Sequence, residues 1–162
     1  MKHAFSALVG ASVVAALALA GTALATAGKV DVSSPSKGTK IHVVELFTHA
    51  GSVDVAPAGP SQGDYLVWDD ALVTPGTKHV VGHVSGTCFL VNVAAGLYDC
   101  PGVTFALAKG QILAQGLLPL AAKGPTFGTI IGGTGAYASA HGQDKGRALG
   151  PTALDWVLTV TS

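Results

Sequence analysis

Short apolar segments separated by glycine, proline and aspartate follow one another from Ile41 to the end of the chain. In the last of them Leu154, Trp156, Leu158 and Val160 occupy alternate positions, which is the period of a half-buried β-strand. No segment in this part keeps the i, i+3, i+4 apolar spacing of an amphipathic helix over several turns. The pattern predicts eight strands, over residues 41–48, 64–73, 78–93, 103–107, 111–118, 126–131, 140–149 and 153–161.

Several of these strands carry apolar or small side chains on both faces, as between His79 and Val91. That is typical of a sheet covered on both sides, here by an interior on one face and a neighbouring subunit on the other. Turn residues at Thr74–Gly76, Lys109–Gly110 and Gly150–Pro151 favour antiparallel connections. We therefore predict an all-β fold, an eight-stranded antiparallel closed β-barrel, with a two-sheet sandwich as the alternative.

The N-terminus has the features of a secretory signal. A short positive start precedes the apolar stretch Leu8–Ala20, and small residues around Ala25 and Ala27 offer cleavage positions. We assign residues 1–27 to a signal peptide, 28–40 to a flexible leader and 41–162 to the barrel domain. The protein is thus expected to be secreted, without stable membrane insertion; a retained membrane anchor is the alternative reading of the first segment.

Charge and composition exclude some functions. The chain has nine basic and nine acidic residues and no basic run, so binding of nucleic acid is not expected. The histidines lack compact metal-ligand spacing, and no hydrolase motif such as G-x-S-x-G is present, so we predict neither a metal site nor hydrolase chemistry. The 22 glycines favour a β protein with many turns over a helical one.

Cys88 and Cys100 are the two cysteines of the chain. A hairpin centred near Ala94 would place them opposite each other on adjacent strands, and an exported chain favours a disulfide. By the chain-entropy estimate such a bridge contributes roughly 3 kcal/mol. The competing interpretation is a reactive free thiol.

The glycine-rich stretch from Gly128 to Gln143 contains Gly133-Thr-Gly135-Ala-Tyr-Ala138, which fits the dinucleotide pattern G-x-G-x-x-A. That pattern binds a pyrophosphate only when a helix follows it. Here a glycine recurs every four residues up to Gly150, without an apolar stripe. We expect these glycines to turn the chain between two strands.

The same stretch, "IIGGTGAYASAHG" over 130–142, resembles a Gly-rich segment shared by plant dirigent proteins and allene oxide cyclases. Four other blocks resemble the same superfamily in the same order: "VVELF" (43–47), "GDYLVWDDAL" (63–72), "VGHVSGTCFLV" (81–91) and "AKGQILAQG" (108–116). The resemblance covers most of the chain after the signal peptide. It implies an eight-stranded barrel, commonly trimeric, with an apolar cavity, and the leader and cysteine pair favour a secreted bacterial-type member.

The resemblance also implies a site. Glu45 occupies the position of the catalytic glutamate of cyclases, and Asp70 that of an acidic or water-binding residue. Cys88 matches a cysteine of the cyclase site. Phe47 replaces an asparagine of the cyclase motif, while Ala138 and His141 stand where dirigent proteins often carry arginine.

The residues themselves leave the directions of these side chains open. If Glu45 points into the barrel, desolvation raises its pKa and prepares it for proton transfer; otherwise it is an outward carboxylate at a subunit contact or the rim. Asp69 and Asp70 face opposite sides of a strand, so one of them can line a cavity, and a solvated turn residue is the alternative for Asp70. We expect Phe47, Trp68 and Phe105 to provide ligand-binding surface.

From this site we predict a barrel that binds a small apolar or aromatic ligand and guides its isomerisation or cyclisation without a cofactor. The rate and the stereochemistry would come mainly from confinement of a reactive conformer in the cavity. The alternative is a non-catalytic extracellular barrel that carries a ligand or mediates assembly, since a fold does not fix a function.

Overall fold

The computed structural model describes residues 38–120 and 124–161. The predicted signal peptide, residues 1–27, and residues 28–37 of the predicted leader lie outside this part of the chain. In the described ranges no helix combines the length and the apolar character that crossing a membrane requires.

The described residues form strands joined by turns, as their alternating pattern predicts, with one short 3₁₀-helix, η1, at Gly135–Tyr137. The strands are β1 Thr39–Leu46, β2 Ala50–Val53, β3 Tyr65–Val73, β4 Val80–Asn92, β5 Leu97–Leu107, β6 Gly110–Pro119, β7 Thr126–Gly133, β8 His141–Gly150 and β9 Ala153–Thr161.

All of these strands pair antiparallel, and from β3 to β9 each one pairs with its neighbour in sequence. Strand β1 pairs with β9 along its whole length and with the end of β3, which closes the sheet. Strand β2 pairs with the beginning of β3 and so continues the position of β1. The prediction of a closed eight-stranded antiparallel barrel is confirmed, with one of the eight positions shared by β1 and β2.

The interior has a solid part and a hollow part. Side chains that project inward from the strands fill the solid part, and each is almost completely buried: Val43, Leu72, Val84, Ile112, Ile130 and Leu158. This close-packed layer does not line the cavity that occupies the rest of the barrel interior. It supplies a rigid base for the residues of the hollow part.

Strand β2 was not predicted, and several strand boundaries differ from the prediction, most of all the start of β5. Strand β1 starts at Thr39, within the predicted leader, because Thr39 pairs with Val160 of the final strand. Strand β5 starts at Leu97 and not at residue 103, since Pro101 and Gly102 conceal its first half in the sequence. The ladder to β6 shifts register between Cys100 and Val103, and such a bulge accommodates a residue without an N–H donor.

Cys88 on β4 and Cys100 on β5 form a disulfide across the predicted hairpin, with their Cα atoms 4.1 Å apart. Both sulfurs are buried, and both residues belong to the wall of the cavity. The cysteine pair therefore forms the predicted disulfide, and neither cysteine is a free thiol.

The glycine-rich stretch connects two strands of the barrel. It leaves β7, makes the single turn η1 and returns as β8, without an α-helix. Gly135 has a φ of 60°, and a side chain at Gly133 would collide with the carbonyl oxygens of Gln111 and Tyr137. These glycines turn the chain sharply, as predicted, and the helix that a dinucleotide-binding loop requires does not follow them.

Candidate functional site

A cavity of about 550 Å³ occupies the hollow part of the barrel. The three predicted ligand-binding residues all line it: Phe105 is fully buried, Trp68 is half-buried, and Phe47 is 41% exposed. The wall between them is mostly aliphatic side chain, glycine and the disulfide. This size and lining are typical of a site for a small apolar or aromatic molecule.

Glu45 points into this cavity. Its neighbours two positions away, Val43 and Phe47, line the interior with it, and its own side chain is only 3% exposed. The indole Nε1 of Trp156 donates a hydrogen bond of 2.7 Å to Glu45 Oε2. Of the two directions that the sequence left open, the structure adopts the inward one.

The pKa of Glu45 is raised from 4.5 to about 7, first because burial removes its carboxylate from water. The hydrogen bond from Trp156 opposes this rise, whereas the nearby charge and carboxyl group of Asp70 add to it. Glu45 is thus divided between its acid and its carboxylate form near neutral pH. A group in that state can both give and take a proton.

Asp70 lies beside the irregular segment that separates β1 from β2, the two strands that share one position in the barrel. From Leu46 to Ala50 the chain advances four residues, while the paired strand goes back only three, from Ala71 to Trp68. The extra residue makes a β-bulge, which frees backbone N–H groups from the ladder. Asp70 satisfies them, since its Oδ1 accepts hydrogen bonds from the backbone N–H groups of Thr48 and His49.

The hydroxyl of Thr48 also donates to Asp70 Oδ1, at 3.0 Å. The other oxygen of Asp70, Oδ2, is buried, and no donor among the described residues reaches it. The side chain of Asp70 is 1% exposed. Asp70 thus lies at the cavity wall with one oxygen anchored at the bulge and the other without a donor from the described residues.

Asp69, by contrast, projects from the outer surface, where it lies 3.8 Å from the ring of His83. Its side chain is 69% exposed. The alternation along β3 thus separates the two aspartates as predicted, and Asp70 is the one that lines the cavity.

Trp156 fixes the orientation of Glu45, and sequence reasoning did not assign it a role. Its ring packs edge-on against Phe105, with centroids 5.3 Å apart, and its far edge lies over Gly146, where a Cβ would collide with it. The period of two in β9 places Trp156 on the apolar face. Its partner Glu45 lies 111 residues away in sequence, so only the closed barrel reveals the hydrogen bond.

Asp144 is the second residue that the sequence did not single out. It is 5% exposed, it lines the cavity from β8, and it lies directly over Gly128 of the adjacent strand. Burial raises its pKa from 3.8 to about 6, while hydrogen bonds from the backbone of Gly128 and of Asp144 itself act against the rise. This strand has no regular alternation of apolar and polar residues, so the sequence did not indicate which of its side chains point inward.

The family model described as an allene oxide cyclase barrel like domain matches residues 44–154, more than half of this chain of 162 residues. None of the curated proteins matches the chain in sequence.

Solved structures with the same fold include a pyocyanin demethylase, which is 26% identical with a TM-score of 0.67, over 76% of this chain and 100% of that one. A pterocarpan synthase dirigent protein is 16% identical with a TM-score of 0.65, over 79% of this chain and 97% of that one. An exo-specific intermolecular Diels-Alderase is 17% identical with a TM-score of 0.57, over 76% and 98% of the two chains. For the last two structures, at 16% and 17% identity, the likeness concerns the fold alone.

Proposed function

The chain belongs to the allene oxide cyclase barrel-like family, and from this membership we propose that it is a secreted barrel which binds a small apolar or aromatic molecule and guides its isomerisation or cyclisation. One observation carries the proposal: Glu45, with a pKa of about 7, faces an apolar cavity of about 550 Å³. A carboxylic acid that stays protonated near neutral pH is suited to general acid catalysis.

In this proposal the cavity contributes by confinement. A flexible ligand that enters a hollow of this size loses its extended conformers, and the folded conformer that reacts becomes the prevalent one. Phe105 and Trp156 offer two aromatic faces against which a planar or unsaturated ligand can lie. The names of two structural neighbours, a dirigent protein and a Diels-Alderase, support a reaction in which the protein directs bond formation.

Glu45 is the catalytic residue of the proposal. Its protonated carboxyl group donates a hydrogen bond, and then the proton, to a ligand oxygen on which negative charge develops. Trp156 stabilises the carboxylate that remains, through its N–H donor to Oε2. The proton returns to Glu45 as the product forms, so the reaction needs no net acid.

Asp70 is a positioning residue in this scheme. It is anchored at the bulge by three hydrogen bonds to one oxygen, and its other oxygen faces no donor among the described residues. Its charge favours the protonated form of Glu45 before the reaction.

A second candidate function is carriage of a lipophilic molecule without chemical change. It is favoured by the rim of the cavity, where three apolar side chains are half exposed or more: Leu117, Leu120 and Phe127. An apolar rim suits a barrel that collects and releases such molecules, and it needs no contribution from Glu45.

Narrowing the mouth of the cavity tests whether ligands enter it. Ala148 is exposed and lines the cavity, so Ala148→Trp should obstruct entry without disturbing the fold; Leu149→Trp adds the same ring on the opposite face of β8. We expect wild type and Leu149→Trp to retain a component of a lipophilic extract of the producing cells, and Ala148→Trp to retain about ten-fold less of it. Mass spectrometry of the retained material measures both its amount and any chemical change. Equal retention by all three proteins would contradict a ligand site in this cavity.

Recovery of an isomer or a cyclised product supports catalysis, whereas recovery of the unchanged molecule supports carriage. The comparison of wild type with Leu149→Trp controls for added aromatic surface.

Export, oxidation and assembly into a trimer are further parts of the proposal. Mass spectrometry of protein recovered from the medium tests them on one sample. Under denaturing conditions we expect the mass of residues 28–162 less two hydrogens for the Cys88–Cys100 disulfide. Under native conditions we expect three such chains together. A chain that keeps residues 1–27, or that takes up two alkyl labels without reductant, would contradict export or the disulfide.

A further inference from the structure

The cavity has a second acidic group that the proposed mechanism does not use. Asp144 projects inward from β8, and β9 separates that strand from β1, which carries Glu45. Between them lies the ring of Trp156, whose N–H contacts Glu45 and whose far edge covers Gly146, the inward neighbour of Asp144. The cavity therefore has two acidic poles with an aromatic surface between them.

The two poles are electrically distinct. Burial is the main cause of the raised pKa of both acids, but the charge of Asp70 adds to the rise at Glu45, whereas no other carboxylate contributes to it at Asp144. Asp144 thus faces the hollow as a separate acid and is not a third member of the pair formed by Glu45 and Asp70.

No basic side chain from the described residues lines the cavity with these acids. The nearest in sequence, Lys145, projects from the other face of β8 and lies over the ring of Phe127, 5.9 Å from its centroid. The ion pairs found in the described ranges involve His42, His83 and Arg147, whose side chains are more than half exposed. A buried carboxylate without a counter-ion is unfavourable, so a positively charged group that enters this cavity gains more than a neutral one.

A further observation also indicates a donor in the ligand. Oδ2 of Asp70 is buried and receives no hydrogen bond from the described residues. Buried polar atoms are rarely left without a partner, and a ligand N–H or O–H group is one way to provide it.

We propose that the cavity selects apolar or aromatic molecules that carry an ammonium or another cationic N–H group, and that Asp144 binds this group while the ring system packs against Trp156. This inference rests on the proposed function of the cavity as a ligand site. It excludes fatty acids and other carboxylates as preferred ligands, since their charge would meet three carboxyl groups inside the barrel: Glu45, Asp70 and Asp144.

Three fluorescent probes of equal ring size test the charge preference at pH 7.5: aminomethylanthracene, hydroxymethylanthracene and anthracene carboxylate. Fluorescence anisotropy gives their dissociation constants. For wild type we expect the ammonium probe to bind about ten-fold tighter than the alcohol, and the carboxylate about ten-fold weaker, which is about 1.4 kcal/mol for each step.

Asp144→Asn keeps the size of the side chain and removes its charge. We expect it to bring the ammonium probe to within about three-fold of the alcohol, while the alcohol keeps its wild-type affinity and so shows that the cavity is intact. Asp69→Asn is the matched control, because it removes the same charge from the outer face of the barrel. It should leave all three dissociation constants unchanged.

The outcomes separate this inference from the proposed function. If none of the probes binds wild type, both are overturned. If the probes bind wild type without a charge preference, or if Asp69→Asn reduces the preference as much as Asp144→Asn, the selection by Asp144 is overturned and the ligand site stands.

Discussion

Replacement of Glu45 by Gln is expected to lower turnover of the natural ligand by about 10²- to 10⁴-fold, the range in which general acids contribute. Gln has the size of Glu, and its side-chain oxygen can still accept the hydrogen bond from Trp156 Nε1. What the variant lacks is the proton that a ligand oxygen receives as charge develops on it. Binding of the ligand should therefore change little while the chemical step slows.

The pH dependence of turnover should show that the protonated form of Glu45 is the active one. The pKa of Glu45 is raised to about 7, so the acid form prevails below that pH and disappears above it. Turnover by wild type should fall as the pH rises through about 7, and the residual turnover of Glu45→Gln should not follow that curve. Rates measured between pH 5.5 and 8.5 by product formation check both statements.

Asp69→Asn serves as the control for loss of one negative charge, since Asp69 lies outside the cavity. Its rate and its pH profile should match those of wild type. A Glu45→Gln protein that turns over the ligand within a few-fold of wild type would remove Glu45 from the mechanism and favour carriage.

The strands could be predicted because their cause is local. Alternation of apolar and polar positions is present within each strand, and the turn residues at Thr74–Gly76 and Gly150–Pro151 mark where strands end. The same alternation could not tell which face of β1 points inward, because both faces carry apolar residues. Closure through the pairing of Glu45 with Leu72 and Leu154 decides that question, and it depends on strands far apart in sequence.

The chemistry of the site was harder to predict for the same reason. Asp70 accepts hydrogen bonds from Thr48 and His49, more than 20 residues earlier in the chain, at a bulge that no sequence feature predicts. Asp144 lies over Gly128 only because β7 and β8 pair in that register. Each of these environments arises from a contact across the sheet, so the sequence could suggest Glu45 as an acid but not the direction of its side chain, on which the raised pKa depends.

Stability should fall as the pH rises, which is the reverse of the usual behaviour of buried, well-paired carboxylates. The folded pKa values of Glu45, about 7, and Asp144, about 6, lie above the ordinary values of 4.5 and 3.8 that apply to the unfolded chain. The folded state therefore binds more protons over this range, and its advantage is full at low pH and lost as both groups ionise. For Glu45 alone, at about 1.4 kcal/mol per pH unit, the loss is on the order of 3 kcal/mol by pH 8.5.

Urea unfolding at a series of pH values from 5 to 8.5 measures this loss. Glu45→Gln has no group to ionise at that position, so its free energy of unfolding should exceed that of wild type at pH 8.5 and vary less with pH. Asp144→Asn should remove a further part of the slope, and the double variant should be nearly independent of pH over the range. Asp69→Asn, with an exposed side chain, should retain the slope of wild type. A wild-type curve that is flat or rises with pH would mean that neither carboxyl group is held away from water, and the acid proposed for catalysis would lose its physical basis.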